Sequence, residues 1–166
     1  MATPDYTSIP LTKGYVAIVD NSDSDLAHFK WQSRPHGRTC YARRNTKRVN
    51  GKRPNIHLHH VIMSRMLGRD LLPSERVDHK DGNGLNNRRG NLRLATHTQN
   101  MRNKRTQSNN QTGLKGVSKD GNRYVARIWL NNKNVHLGMF ESAELAAIAY
   151  NTAAAEHFKE FAKPNL

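Results

Sequence analysis

Residues 81–87, DGNGLNN, place six turn-forming residues in a run of seven, and this run most constrains the chain around it. Gly and Asn tolerate positive φ and build tight loops, so no helix or regular strand passes through such a stretch. It is preceded directly by Val77, Asp78, His79 and Lys80, and followed by RRGNLRLA. If Asp78 and His79 sit in a strand, alternation sends their side chains to opposite faces, and a shared site needs the bend that the loop supplies. NLRLATHTQNMRNKR (91–105) is expected to begin as a short strand and turn helical, with Thr96 as N-cap.

Asp78, His79 and Asp81 are acids and an imidazole in a strongly basic chain. Lys and Arg number 27 against 13 Asp and Glu, a formal charge of +14. That balance points to a polyanion, nucleic acid first. A membrane partner is disfavoured, because no stretch of about 18 apolar residues exists. The N-terminal MATPDYTSIPLTKG has no signal-peptide core, which predicts a cytoplasmic location. Cys40 is the single cysteine, so neither an internal disulfide nor a multi-cysteine structural zinc site is expected.

Two parts are expected, joined by a segment at 105–112 inside the Asn- and Gln-rich RNKRTQSNNQTG, which has no apolar periodicity. In the first part, YVAIVD (15–20) alternates and predicts a strand, and NSDSD (21–25) a turn or short helix start. FKWQSRP and TCYARRN predict a hairpin turning through PHG (35–37). NIHLHHVIMSRML (55–67) starts extended and turns helical, with Leu58, Ile62 and Met66 on one face. In the second part, the turns KDGN (119–122) and NNKN (131–134) separate three short apolar runs, a strong hairpin signal. SAELAAIAYNTAAAEHF (142–158) predicts a helix with Ser142 as N-cap, and Leu145, Ile148, Ala149, Thr152 and Ala153 on one face. Leu145, Ile148 and Tyr150 are expected in the core.

The chemistry follows from residue type. A carboxylate such as Asp78 is a hard oxygen ligand suited to Mg²⁺ or Mn²⁺. A neutral imidazole such as His79 takes a proton from water near neutral pH. The amide of Asn91 can brace the loop, and the carbonyl of Asn100 can complete a metal site, with His97 as its rival.

IHLHHVIM followed by VDHKDGNGLNNRRGNLRLATHTQNMRN resembles the HNH endonucleases of the phage and homing type. The similarity covers most of residues 9–103. It implies a ββα-metal motif at about 56–104 within a domain spanning 1–104. It implies Asp78 and Asn100 on one divalent metal, Mg²⁺ or Mn²⁺, and His79 as the base that activates water against a phosphodiester of double-stranded DNA. Products would carry 5′-phosphate and 3′-hydroxyl ends. Asn91 matches the middle asparagine and His59 the early histidine, although His60 stands where an Arg is usual and Lys80 where Ile is frequent. Beside such a site Arg88, Arg89, Arg93 and Arg102 are expected to contact DNA. One site cuts one strand, and cutting both takes a homodimer or two visits.

GLKGVSKDGNRYVARIWLNNKNVHLGMFESAELAAIAYNTAAAEHF, with Asn165 near the end, resembles the DNA-binding domain of plant ethylene-response factors, the Apetala type. That implies a three-stranded sheet at 113–166 that enters the major groove, with contact positions at Lys115, Ser118, Arg127, Trp129, Asn134 and His136. Charge agrees independently: residues 102–133 hold eight Lys or Arg and one acid. The basic set Lys115, Lys119, Arg123, Arg127 and Lys133, with Trp129, is the expected DNA-binding group, although Trp129 equally suits a core position. The expected protein is therefore of the α+β class: a β-rich region leading into a ββα-metal nuclease, then a sheet packed on one helix. It would be phage-encoded or carried by a mobile element in a bacterial cell. The rival reading is a DNA-binding regulator whose nuclease part no longer cuts.

Overall fold

The computed structural model describes residues 5–37, 39–48, 51, 53–96, 99, 110–162 and 164–165. The chain divides into two compact units, 1–97 and 98–166. His97, Asn100 and Arg102 lie outside the described residues, as does the helix expected after Thr96, apart from the helical Gln99. No helix among the described residues is long and apolar enough to cross a membrane.

The first unit opens with an antiparallel hairpin of β1 (Tyr6–Pro10) and β2 (Val16–Asp20). A 3-10 segment at Asn21–His28 follows, the helical of the two alternatives that NSDSD offers, and it runs on past Asp25. β3 (Gln32–His36), β4 (Thr39–Asn45) and β5 (Asn55–His57) form an antiparallel sheet in that order. Pro35 lies on β3, an edge strand where a missing N–H costs no ladder bond. β5 runs directly into α1 (Leu58–Leu67), which ends at Gly68 in the left-handed conformation. Leu58 and Ile62 are buried, as their spacing predicts. Met66 is 41% exposed instead, because it lies in the last turn, beyond the core, and Met63 takes its place inside.

β6 (Arg76–His79) and β7 (Leu92–Ala95) then pair antiparallel, with Asp78 opposite Arg93 and His79 opposite Leu92. The β1–β2 hairpin, Leu26, Trp31, Ala42, α1 and Leu92 share one apolar core. Trp31 is satisfied inside it, its indole N–H donating to the Leu26 carbonyl at 2.8 Å. The 80–91 loop is fastened to β2 by backbone bonds, Ile18 N–H to Leu85 O at 2.9 Å and Asn87 N–H to Ile18 O at 2.8 Å.

The second unit has the predicted three strands, β8 (Val117–Asp120), β9 (Arg123–Leu130) and β10 (Lys133–Phe140), in the order β10-β9-β8. Gly121 has a φ of 56° in the first turn, and Asn131 and Asn132 have φ of 46° and 61° in the second. Two successive positive φ values match the right-handed twist of a hairpin, which is why Asn serves there. α2 (Ala143–Phe158) begins at Ser142, whose hydroxyl accepts the Leu145 N–H at 3.2 Å.

α2 turns its other side to the sheet from the one expected. Leu145 and Ile148 are 50% and 60% exposed, whereas Ala146, Ala147, Ala154 and Phe158 are buried. The core between sheet and helix is built of small residues, with Ala146 and Ala147 against Val117 and Ala126. Leu145 and Ile148 are therefore not core, while Tyr150 is half-buried over Gly116, where a Cβ would collide with its ring. Asn165 closes the unit: its Oδ1 accepts the Lys115 N–H at 2.6 Å and its Nδ2 donates to the Lys115 carbonyl at 3.0 Å.

Candidate active site

Asp78 and His79 end β6, and both are buried, at 6% and 5% exposure. Alternation directs them to different neighbours. Asp78 meets Arg93 across the ladder, with Arg93 Nη2 at 2.8 Å and Nε at 2.9 Å from Oδ2. His79 meets Asn87, whose Oδ1 lies 3.3 Å from its Nε2. Its ring also packs edge-on to His59, 5.1 Å between centroids, and near Tyr41 at 5.8 Å. His59, at the start of α1, completes the group, 5.3 Å from Tyr41. His59 Nδ1 and His57 Nδ1 are buried without a hydrogen-bond partner among the described residues.

This environment disfavours the charged form of the imidazoles. Burial pushes His79 below its ordinary value, against the hydrogen bond to Asn87 and the charges of Asp81 and Asp78, which pull it up. Burial pushes His59 well below, and the neighbouring His79, His60 and His57 add to that. Burial raises the Tyr41 phenol, and the Asp78 charge raises it further.

The loop is built from its own asparagines. Asn91 Nδ2 donates to Asp81 Oδ1 at 3.0 Å and to the Asn86 carbonyl at 2.7 Å, and its Oδ1 accepts the Asp81 N–H at 3.2 Å. Asn86 Nδ2 donates to Asp81 Oδ2 at 2.8 Å. Asn91 thus ties both ends of the loop, and its backbone carbonyl accepts the Lys80 N–H at 2.9 Å. Gly84 lies against β4. A Cβ there would stand 2.6 Å from the Cys40 carbonyl and from the Tyr41 ring.

Three of the arginines expected to touch DNA, Arg88, Arg89 and Arg93, are bound to acids of the same unit. Arg88 pairs with Asp20 at 2.9 Å and Asp5 at 2.7 Å. Arg89 Nε lies 2.8 Å from Asp23 Oδ2, and Arg65 also reaches Asp23, at 3.1 Å. Asp23 is wholly buried, which would raise its pKa, but hydrogen bonds from Arg89 and Arg65 lower it on balance. Arg93, with a side chain 10% exposed, is held inside by Asp78. Buried charge needs such partners, so these contacts anchor the loop as much as they colour the surface.

As to a metal, Asp78 supplies one hard carboxylate donor, and a Mg²⁺ site commonly uses only one or two carboxylates with waters and substrate phosphates. The donor chemistry therefore fits. Among the described residues no group of three or more His, Cys, Asp or Glu side chains is arranged to hold a metal ion. Asn100, the second expected ligand, and its rival His97 lie outside those residues.

An HNH endonuclease family model matches residues 57–102, from the end of β5 through the loop and beyond β7. The chain carries an HNH endonuclease domain. It is 39% identical over 110 residues to an uncharacterized HNH endonuclease, L560, of Acanthamoeba polyphaga mimivirus, which covers 66% of this chain and 57% of the relative. It is 34% identical over 83 residues to Protein 3.8 of Escherichia phage T7, covering 49% of this chain and 69% of that protein. The chain thus spans little more than half the length of the mimivirus relative. Within the first unit, Tyr41 and Asn87 carry no sequence signal of a role. Tyr41 comes from β4, outside the matched segment, and Asn87 looks like any other turn residue.

In the second unit the strand register sorts the expected DNA-binding residues. Arg123, Arg127 and Trp129 alternate along β9, and Asn134 and His136 stand opposite Trp129 and Arg127. These side chains share the face away from α2, and Trp129 is 61% exposed, so it is not core. Lys119 and Lys133 pair with Tyr124 and Leu130, in register with the helix side at the strand ends. Lys115 precedes β8, its backbone held by Asn165.

Proposed function

We propose that the protein is a metal-dependent DNA endonuclease that hydrolyses phosphodiester bonds and is positioned on double-stranded DNA by its second unit. The observation that carries this reading is a buried carboxylate and a buried imidazole side by side at the end of β6, within the segment that matches the HNH family. Asp78 and Asn100 would hold the divalent ion, Mg²⁺ or Mn²⁺. The bound ion would supply Lewis-acid stabilisation of the charge that develops on the phosphoryl oxygens. His79 takes the proton of the attacking water, and the packing of His59 and Tyr41 keeps bulk water from its ring. Asn91 holds the loop closed, so His79 keeps one orientation. Arg88 and Arg89 meet the phosphodiester backbone while tied to Asp20 and Asp23, which gives fixed rather than swinging cations.

The open face of the β8–β10 sheet, with Arg123, Arg127, Trp129, Asn134 and His136, supplies the groove contacts. Arginine forks and an aromatic plane on a twisted sheet suit DNA edges and backbone. The similarity of the chain to a mimivirus HNH endonuclease and to a protein of phage T7 supports a phage or mobile-element nuclease.

Supercoiled plasmid incubated with Mg²⁺, Mn²⁺ or EDTA tests the reading. Cation-dependent open circles or linear DNA are expected, lost in Asp78→Ala and His79→Ala. Unchanged cleavage by His79→Ala would refute the base assignment. Binding without cleavage in every cation would favour a regulator.

A further inference from the structure

His79 is held by a side chain to which neither the family resemblance nor the mechanism above gives a part. Asn87 is fully buried. Its Nδ2 donates to the Gly84 carbonyl at 3.3 Å, and its Oδ1 lies 3.3 Å from His79 Nε2. A carbonyl only accepts, so Gly84 O settles which way the Asn87 amide points: nitrogen to Gly84, oxygen to His79. An amide oxygen also only accepts, so the hydrogen on this contact belongs to His79 Nε2. A neutral imidazole has one N–H, and the lone pair therefore resides on Nδ1.

Asn87 cannot easily turn away. Its backbone N–H donates to Ile18 O at 2.8 Å, and Ile18 N–H donates to Leu85 O at 2.9 Å, a parallel bridge from β2 into the loop. On its far side the loop is pinned by Gly84 N–H donating to Thr39 Oγ1 at 2.8 Å. The acceptor is thus presented by the β1–β2 hairpin and β4 together.

We infer that Asn87 is a positioning residue that keeps His79 in the Nε2–H tautomer, with Nδ1 as the basic nitrogen, and that β2 holds Asn87 in place through Ile18. This rests on the reading of His79 as general base. When Nδ1 takes the proton of the attacking water, the ring becomes an imidazolium and both nitrogens carry hydrogen. The Nε2–H bond to Asn87 is then charge-assisted and stronger, so the same contact favours the protonated ring that catalysis forms. Asn87 touches neither substrate nor metal in this scheme.

The test has two readouts on the full chain. Nitrogen-labelled histidine, with His79 assigned from its absence in His79→Gln, reports which ring nitrogen carries hydrogen at neutral pH in the metal-free protein. The wild type is expected to show Nε2–H. Asn87→Leu, similar in size but with no acceptor, is expected to lose that preference and to lower kcat about 10- to 100-fold with KM little changed, the usual effect of removing an orienting partner. Asn87→Asp keeps the acceptor and should restore the tautomer and most of the rate. A wild-type His79 in the Nδ1–H form overturns the inference without any variant needing to fold. So does an Asn87→Leu protein that keeps both tautomer and rate. An Nε2–H wild type whose His79→Ala variant still cuts would remove the base assignment while leaving Asn87's hold on the ring intact.

Discussion

Arg93 holds Asp78 by two nitrogens on one oxygen, Nη2 at 2.8 Å and Nε at 2.9 Å from Oδ2, at directly opposed positions of β6 and β7. The candidate metal ligand is thus also half of a buried ion pair. A buried carboxylate whose counter-charge is removed costs about 3–5 kcal/mol. Arg93→Met should therefore lower stability by that order in EDTA, read by urea denaturation. A divalent cation offers the lost positive charge, so Mg²⁺ or Mn²⁺ should recover more stability in Arg93→Met than in the wild type. Equal recovery in both proteins would mean that the ion does not reach Asp78.

Two acid-sensitive windows follow from the buried titrating groups. His59 has a folded-state pKa below its unfolded value of about 6.5. The unfolded chain then binds the proton more readily, so stability is full above that value and falls as pH drops below it. Asp23 has a folded-state pKa below 3.8, so its share is present above 3.8 and is lost only in stronger acid. In metal-free protein the urea midpoint should begin to decline below about pH 6.5. His59→Phe keeps a flat ring in place and should make that first decline shallower, with the share of His79, also lowered by burial, remaining, and should leave the second untouched. A midpoint as pH-sensitive as that of the wild type would show that another group titrates there.

Gly84 has no room for a side chain. Its added Cβ would stand 2.6 Å from both the Cys40 carbonyl and the Tyr41 ring, which itself packs against His59 and His79. Gly84→Ala should cost about 1–3 kcal/mol of stability, as overpacking does. It should also displace Tyr41 towards the imidazoles and reduce cleavage more than DNA binding. Full cleavage by Gly84→Ala would show that the loop tolerates a shift at Tyr41.

On the second unit, Arg127→Ala and Trp129→Ala should leave thermal stability within about 0.5 kcal/mol, since both side chains are exposed. If the open sheet face meets DNA, Arg127→Ala should weaken binding and reduce the salt slope by about 1 if it neutralises a phosphate, or relax site choice by about 1–3 kcal/mol if it reads a base. Trp129→Ala should weaken binding with the salt slope unchanged. Salt titrations of duplex affinity separate these cases, and unaltered affinity in both variants would move the interface elsewhere.

The elements legible in the sequence are those with local causes. The Asn-Asn and Asp-Gly turns, the Ser142 cap and the three short runs that become β8, β9 and β10 each depend on neighbours within a few residues, and each is where the sequence predicts it. The buried face of α2 was not legible, because Leu145 and Ile148 are the larger apolar side chains yet the sheet accepts only the alanines beside them. That choice is made by the space over Val117 and Ala126. The partners of Arg88 and Arg89 are not legible for a related reason: Asp20 reads as the end of a strand and Asp23 as part of a turn or helix start, and nothing local links them to residues 68 and 66 positions away. Asn87 sits beside Asn86 in a run of turn formers, and only the bridge from Ile18 separates the one buried under His79 from the one that closes the loop.

The bridge between Ile18 and the 85–87 segment also orders events during synthesis. β2 leaves the ribosome long before the loop segment that it must grip, and closing so wide a span is opposed by chain entropy until enough apolar surface has gathered to offset it. The oriented, dehydrated setting of His79 requires β7 and α1 to be docked in the core that the first hairpin shares. A nascent or partly degraded chain that still displays the Asp-His pair would be chemically quiet, and cutting power would arrive together with the finished core rather than before it.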